Sequence, residues 1–193
     1  SCGALSSAYD VCANYLGVPY RDDIAWDIDR ILHTQKLSRL ALAEFEALTP
    51  NDIRALLLAL RFNMFFKTLD SNHVPLGKEK AQLEALVDCV KGNTALETLS
   101  LRDIGAKSDF WLPFFTALSS NRGQIVNDID ISENQLDSQG FVALARHVEQ
   151  CQHGLVTLNL SETKLDKSAA AALSTAFRKN VKMATSLTSL NLS

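Results

Sequence analysis

The sequence predicts an α/β fold in which repeated strand–turn–helix units stack into a curved solenoid. Two observations predict it. A short leucine-rich motif occurs six times, and its central apolar residues lie 29, 30, 30, 29 and 32 residues apart. The first five copies are each followed by apolar residues at helical spacing, and repeats of this length are typical of stacked arrays. The six central residues are Leu40, Leu69, Leu99, Ile129, Leu158 and Leu190.

The motif itself predicts a short strand. In "LVTLNL", residues 155–160, Leu158 and Leu160 flank a polar residue, as in a strand with one buried face. A strand occupies about 4.8 Å of a sheet, whereas a helix with its side chains needs about 10 Å. Stacked units therefore bend. We predict leucine-rich repeats in a ribonuclease-inhibitor-like horseshoe, with a parallel concave sheet and convex helices.

Capping residues and asparagines mark the predicted helix ends. An N-cap side chain accepts a hydrogen bond from the first helical turn, and asparagine tolerates the left-handed conformation that often ends a helix. The predicted N-caps are Thr49, Ser108, Asp137 or Ser138, and Asp166. The residues predicted to leave a helix in the left-handed conformation are Asn63, Asn93, Asn121 and Asn180.

The asparagine that usually follows the strand in such repeats is mostly absent. Asn134 fills that position once, and Thr163 replaces it in the next repeat. Phe45, Val74 and Ile104 occupy it in the first three repeats. We therefore expect the ladder of asparagines that normally ties these turns together to be largely missing.

The two ends of the chain differ from its middle. Residues 1–33 do not fit the repeat and are predicted to form an N-terminal cap, which a solenoid needs to cover its first unit. In this cap we expect a helix ending at Gly17, then a strand over residues 24–28 in which Trp26 packs on the first repeat. Residues 34–193 are predicted to hold about five full repeats plus the first strand of a sixth, and we expect the natural protein to continue.

Several function classes find no support in composition or motifs. The net charge of −3 argues against a nucleic-acid binder. The longest apolar run, residues 53–60, is too short to cross a bilayer. The chain has neither a phosphate-binding loop nor a recognised metal motif. A metal site on Asp22, Asp27 and Asp29 is an alternative to the favoured edge strand with solvated carboxylates. We therefore expect neither an enzyme nor a cofactor.

Two further clusters have structural and functional interpretations. His147 and Cys151 lie one helical turn apart, and a structural role is favoured over a thiolate nucleophile. The aromatic run "DFWLPFF", residues 109–115, has a composition typical of a ligand-binding pocket or an exposed binding patch. Its helical spacing instead favours burial of these side chains in the core. The core residues expected from it and the following turn are Trp111, Phe114, Phe115 and Leu118.

The polar residues of the predicted strands and strand exits form the candidate partner-binding surface. A carboxylate row at the exits suggests a basic partner segment, and an ordinary solvated rim is the alternative. The row comprises Glu44, His73, Asp103, Glu133 and Glu162. The full set of candidate residues is Arg39, Thr68, Asp70, Thr98, Arg102, Asp128, Asp130, Glu133, Thr157, Asn159 and Glu162.

The cap segment carries a family resemblance. "SCGALSSAYDVCANYLGVPYRDDIAWDIDRI" and the repeats after it resemble the start of the repeat region in the CARMIL family, large cytosolic regulators of the actin capping protein. The resemblance covers the whole chain and is most specific in the cap. The residues that carry it are Cys2–Gly3, Tyr9, Leu16–Gly17, Tyr20–Arg21 with Asp22 and Asp23, Trp26–Asp27–Ile28–Asp29, and Asn63 with Phe66.

The resemblance implies a function for a longer parent protein. Such proteins have a pleckstrin-homology-like domain before the repeats, then a dimerisation region and a tail that binds capping protein and membrane. It implies a non-enzymatic protein-interaction scaffold in actin assembly, located in the cytoplasm at the cytoskeleton and cell cortex, without membrane insertion. The alternatives are a tropomodulin-like filament cap and a GTPase-activating module, for which Arg39 and Arg102 are the candidate catalytic arginines.

Overall fold

The computed structural model describes residues 3–193; Ser1 and Cys2, the latter part of the family resemblance, lie outside the described residues. Six three-residue strands form one parallel sheet in sequence order. The strands are β1 (Arg39–Ala41), β2 (Thr68–Asp70), β3 (Thr98–Ser100), β4 (Asp128–Asp130), β5 (Thr157–Asn159) and β6 (Ser189–Asn191). The helices are α1 (Leu5–Leu16), α2 (Asp22–Trp26), α3 (Pro50–Leu60), α4 (Lys80–Gly92), α5 (Trp111–Ser120), α6 (Ser138–Gln150), α7 (Lys167–Lys179) and α8 (Met183–Ser186).

The six central apolar residues of the motif lie side by side across the sheet. Leu40 pairs with Leu69, Leu69 with Leu99, and the register continues without a shift to Leu190. The first five are buried, while Leu190 on the last strand is 40% exposed. The predicted parallel leucine-rich sheet, with a long helix after each of the first five strands, is therefore confirmed.

Helices α3 to α7 form a row in which each contacts the next, and α1 contacts α3 at the start of the row. Their apolar residues share one buried cluster with the middle residues of the first five strands. Three of the four predicted N-caps are confirmed. The Thr49 side chain accepts from the Asp52 amide in a capping box, and Asp137 and Asp166 cap α6 and α7 in the same way. The Ser108 prediction is wrong, because a 3₁₀ turn at Ser108–Phe110 precedes α5 without a capping side chain.

The prediction of left-handed asparagines at the helix ends is wrong for a physical reason. Asn93, Asn121 and Asn180 are extended, and their amides bind the preceding repeat. The Asn93 Nδ2 group donates to the carbonyls of Leu60 and Asn63, at 2.6 and 2.9 Å. Each asparagine oxygen also accepts from a backbone amide two residues later. These asparagines form a ladder between repeats, which local backbone preference does not predict.

The turns after the strands carry the sparser ladder that the sequence predicts. The Asn134 side chain donates to the carbonyl of Leu101, at 2.8 Å, and accepts from the amide of Ile104. Thr163 instead donates within its own turn, to the carbonyl of Leu160. Four turns place one residue in the left-handed region at the strand exit, with φ between 48° and 58°: His73, Asp103, Glu133 and Glu162.

The cap consists of helices. Helix α1 ends at Gly17, with φ 66°, as predicted. The predicted strand over residues 24–28 is wrong, since α2 continues into a π-helical segment, Asp27–Leu32. Ile24, Ile28 and Leu32 are four residues apart and buried on one helical face. Trp26 is 57% exposed, so its predicted packing on the first repeat is also wrong.

A buried carboxylate joins this cap to the first repeat. Asp52 on α3 accepts a hydrogen bond from the Tyr9 hydroxyl of α1, at 3.2 Å. The Arg21 guanidinium donates to Asp52 at 3.1 Å and to the carbonyl of Ala47 at 2.8 Å. Burial and the neighbouring Asp52 raise the pKa of Tyr9. The cap is therefore held by polar bonds as well as by apolar contacts.

Candidate partner-binding face

The surface of the sheet opposite the helices is here called the open face. It consists of the first and third residues of the strands together with the turns that follow them. In β2 to β5 the middle residue is buried and its two neighbours are partly exposed. Successive side chains of a strand point to opposite faces of the sheet, so every second side chain is available to a partner. All eleven candidate residues predicted from the sequence lie on this face.

The last strand residue of several repeats holds the turn behind it. The Asp130 carboxylate accepts from the Ser132 amide at 2.9 Å and from its hydroxyl at 2.6 Å. Asn159 binds Ser161 in the same way, and Asn191 binds Ser193. An amide therefore serves this position as well as a carboxylate does, and the negative charge of Asp130 is not required by the turn.

Ion pairs organise the first end of the open face. The Arg39 guanidinium donates to the Asp70 carboxylate at 2.8 and 3.1 Å and to Glu44 at 2.7 Å. These two carboxylates, Asp70 first, raise the pKa of Arg39. In the middle of the face the Arg102 guanidinium pairs with Glu133. Both arginines are therefore already engaged by carboxylates of this chain.

Neutral side chains connect the charged ones across strands. The Thr157 hydroxyl donates to Asp128 at 2.7 Å, and the Asn159 amide donates to Asp130 at 3.1 Å. Asn72, which the sequence pattern does not mark as a candidate, donates to the Ser100 hydroxyl and accepts from the Arg102 amide. The two residues of each pair are 28 to 30 positions apart in the sequence. The partner of a polar residue is therefore found by moving about one repeat length along the chain.

The strand-exit row brings three potential metal ligands together. Within residues 3–193, His73, Asp103 and Glu133 form one group whose ligand atoms lie within 4.8 Å of one another. His73 Nδ1 lies 3.4 Å from Asp103, and all three side chains are exposed. Arg102, paired with Glu133, adds a positive charge that opposes a cation there. Glu44 belongs to a different turn, a 3₁₀ segment at Leu42–Glu44, and its partner is Arg39.

The open face is strongly acidic relative to the chain. It carries two arginines and seven carboxylates, a formal charge of −5, whereas the whole chain has −3. Lys67 and Glu97 precede their strands and form an ion pair at 3.5 Å, so their charges cancel. The charged residues of the open face are Arg39, Glu44, Asp70, Arg102, Asp103, Asp128, Asp130, Glu133 and Glu162.

His147 and Cys151 lie away from this face, beside a cavity of about 50 Å³ between the ends of α5 and α6. His147 is buried, and its Nδ1 atom lies 3.1 Å from the Ser119 hydroxyl. Burial lowers the pKa of His147 to about 4, so the imidazole is neutral near pH 7. Cys12, Cys89 and Cys151 are free thiols, and burial raises the pKa of Cys89 to about 12.

Comparison with known proteins identifies relatives of the whole chain. Residues 2–193 match the profile described as "CARMIL family, LRR domain". Protein CARMIL of Dictyostelium discoideum is 37% identical over 194 residues, covering 100% of this chain and 18% of that protein. Capping protein, Arp2/3 and myosin-I linker protein 3 of Homo sapiens is 29% identical over 192 residues, with 100% and 14% covered. The chain thus spans less than a fifth of these relatives.

A further relative carries a different name. The Rho GTPase-activating protein gacW of Dictyostelium discoideum is 25% identical over 193 residues, covering 100% of this chain and 17% of that protein. Sequence similarity over the whole chain therefore extends to proteins whose names describe different activities. Across residues 3–193, no helix has the length and apolar character that crossing a membrane requires.

Proposed function

Because the chain belongs to the CARMIL family, we propose that it is a non-enzymatic protein-interaction scaffold within a regulator of actin capping protein and actin assembly. The observation that supports this best is the acidic open face, whose side chains are held in position by cross-strand bonds. A basic protein segment would find carboxylates there at sheet spacing. The parent would act on capping protein and dimerise through regions outside this chain, in the cytoplasm near the cytoskeleton and cell cortex.

The architecture of the parent follows from the same proposal. Residues 1–33 cap the array, and residues 34–193 form the repeats that stack into a horseshoe-shaped solenoid. A helix is about twice as wide as a strand, so each repeat bends the array, with the open face on the inner, concave side; additional repeats would lengthen this arc. A partner segment lying across the strands would then contact several repeats at once.

The central carboxylates Asp128 and Asp130 are the best residues for a test. Asp130 is replaceable by an amide, because Asn159 and Asn191 form the same turn in the next repeats. The variant Asp128→Asn/Asp130→Asn therefore removes two charges and keeps an acceptor for the Thr157 hydroxyl and for Ser132, while the bond from the Asn159 amide to Asp130 is lost. The matched control is Glu79→Gln/Glu149→Gln, which removes two carboxylates from the helical side.

Binding of a fluorescein-labelled lysine-rich peptide provides the measurement. We expect the open-face variant to bind at least about tenfold more weakly at low ionic strength, and the control to retain the parental affinity. Equal binding by the parent, the open-face variant and the control would contradict the proposed surface. The thermal midpoint of each variant verifies that the fold is unchanged.

GTPase activation is a second candidate because of the similarity to gacW. Arg39 and Arg102 would have to leave Asp70, Glu44 and Glu133 to reach a nucleotide. This makes catalysis by either arginine the less favoured function. Small-GTPase hydrolysis assays with the parent and with Arg39→Ala and Arg102→Ala decide the question, and an acceleration lost in either variant would favour GTPase activation. Co-sedimentation with actin filaments tests the tropomodulin-like alternative.

A further inference from the structure

A second surface lies on the helical side of the molecule, between α4 and the start of α5. It is a groove of about 620 Å³, compared with about 310 Å³ between α5 and α6 and 460 Å³ between α6 and α7. Its volume falls in the range of sites that bind ligands. Leu83, Val87, Phe110 and Pro113 form the apolar floor, and the open face contributes nothing to it.

The floor of the groove is fixed by packing. Phe110 is 7% exposed and lies against Trp111 and Phe114, with ring centroids 5.1 and 5.5 Å apart. At one edge of the groove, the backbone of Gly77 packs directly against the backbone of Gly105. A Cβ atom at Gly77 would come within 1.8 Å of the Gly105 carbonyl oxygen, so a side chain there would separate the two turns. The groove is thus preformed rather than created by moving side chains.

Lysines surround this apolar floor. Lys78, Lys80 and Lys107 line the groove, with Glu84 and Asp109. Lys80 pairs with Glu84 at 3.3 Å, whereas Lys78 and Lys107 have no ion-pair partner within residues 3–193. The groove is therefore net positive on a chain of net charge −3. Its charge is opposite to that of the open face, so the two surfaces suit different partners.

We propose that this groove binds an acidic amphipathic peptide segment of a protein partner. Apolar side chains of the peptide lie against Leu83, Val87 and Phe110, and its carboxylates pair with Lys78 and Lys107. Recognition of an amphipathic helix in an apolar groove is an established mode of peptide binding. An anionic membrane fits less well, because Phe110 is only 7% exposed and cannot insert into a bilayer from this position.

The probe is a fluorescein-labelled synthetic peptide with leucine and phenylalanine at helical spacing between glutamates. A matched peptide has lysine in place of every glutamate. The test variant is Lys78→Glu/Lys107→Glu, and the control is Lys167→Glu/Lys182→Glu, which reverses two exposed lysines near α7 and α8. Leu83→Gln tests the floor separately, and its thermal midpoint and circular dichroism report whether it folds.

We expect saturable binding of the acidic peptide, at least about tenfold weaker in Lys78→Glu/Lys107→Glu and unchanged in the control. Leu83→Gln weakens binding even at high salt, where charge pairs are screened. The proposal is overturned if the acidic peptide does not bind, if Lys78→Glu/Lys107→Glu weakens binding of the lysine peptide as much as binding of the acidic peptide, or if the test variant matches the control. Binding of phosphatidylserine vesicles in place of the peptide would also overturn it and assign the lysines to a membrane.

Discussion

A single cysteine interrupts the asparagine ladder that connects the repeats. Asn93, Asn121 and Asn180 each donate to two carbonyls of the preceding repeat. Cys151 occupies the equivalent position after α6, where a thiol has no amide to donate. The cavity of about 50 Å³ beside it offers room for a larger side chain. The ladder therefore lacks one step, between the ends of α5 and α6.

Replacing this cysteine by asparagine should complete the ladder. We expect Cys151→Asn to raise the free energy of unfolding by about 1–2 kcal/mol, because two hydrogen bonds are added. Asn93→Ala should lower it by about 2–4 kcal/mol, since buried backbone groups lose their partners. Urea denaturation measures both. A Cys151→Asn variant less stable than Cys151→Ser would show that the thiol site cannot accept the amide.

His147 should make stability depend on pH. Its pKa of about 4 in the folded chain lies below the 6.5 of an unperturbed histidine, because burial disfavours the charged imidazole. The unfolded chain then binds the extra proton between these two values. This contribution to stability is complete above about pH 6.5 and is lost as the pH falls toward 4. The slope in that window approaches 1.4 kcal/mol per pH unit.

The variant His147→Phe isolates this effect. Phenylalanine keeps the ring that lies against Phe115 but cannot titrate, so the difference in unfolding free energy between parent and variant should change between pH 7.5 and pH 5. Urea denaturation at both pH values measures it. A difference that is the same at both pH values would contradict the assignment, whatever the variant's absolute stability.

At the scale of elements, the helical cap depends on the bonds between Arg21 and Asp52. Arg21→Gln leaves the buried Asp52 carboxylate without its cation, and removal of one partner from a buried pair is costly. We expect a loss of about 2 kcal/mol, allowing for the partial exposure of Arg21. Arg30→Gln, on the exposed side of the cap, is the matched control and should change stability little.

Hydrogen exchange locates the effect of Arg21→Gln. Faster exchange should appear in α1 and α2, while the amides of α5 and α6 keep their protection. If Arg30→Gln accelerates exchange in α1 equally, the link through Asp52 does not hold the cap. Uniformly faster exchange throughout the chain would show instead that cap and repeats unfold as one unit.

The same elements show what the sequence could predict. The repeat period determined the strand register, and local capping rules found Thr49, Asp137 and Asp166. The sequence predicts a strand where the cap forms a helix, because Ile24 and Ile28 satisfy both an alternating and a four-residue spacing. The asparagines at the helix ends are evident in the sequence, but their hydrogen-bond partners lie 28 to 33 residues away. A preference of the local backbone could not indicate such bonds.

At the scale of the molecule, the stacked repeats separate charge between two surfaces. The open face carries the carboxylates, and the lysine-lined groove lies on the helical side. The candidate residues of the open face were predictable because a strand exposes alternate side chains. Their ion pairs and turn bonds were not predicted, since these depend on side-chain contacts between repeats. Which carboxylates stay available to a partner therefore becomes evident only from the folded chain.

An NMR titration of the isotope-labelled chain with the lysine-rich peptide tests most directly whether the open face is a protein-binding surface. We predict amide shifts concentrated at the strand residues Thr98, Asp128 and Thr157 and at the strand exits, and we predict their loss in Asp128→Asn/Asp130→Asn. Shifts confined to the helical side, or unchanged shifts in that variant, would contradict it.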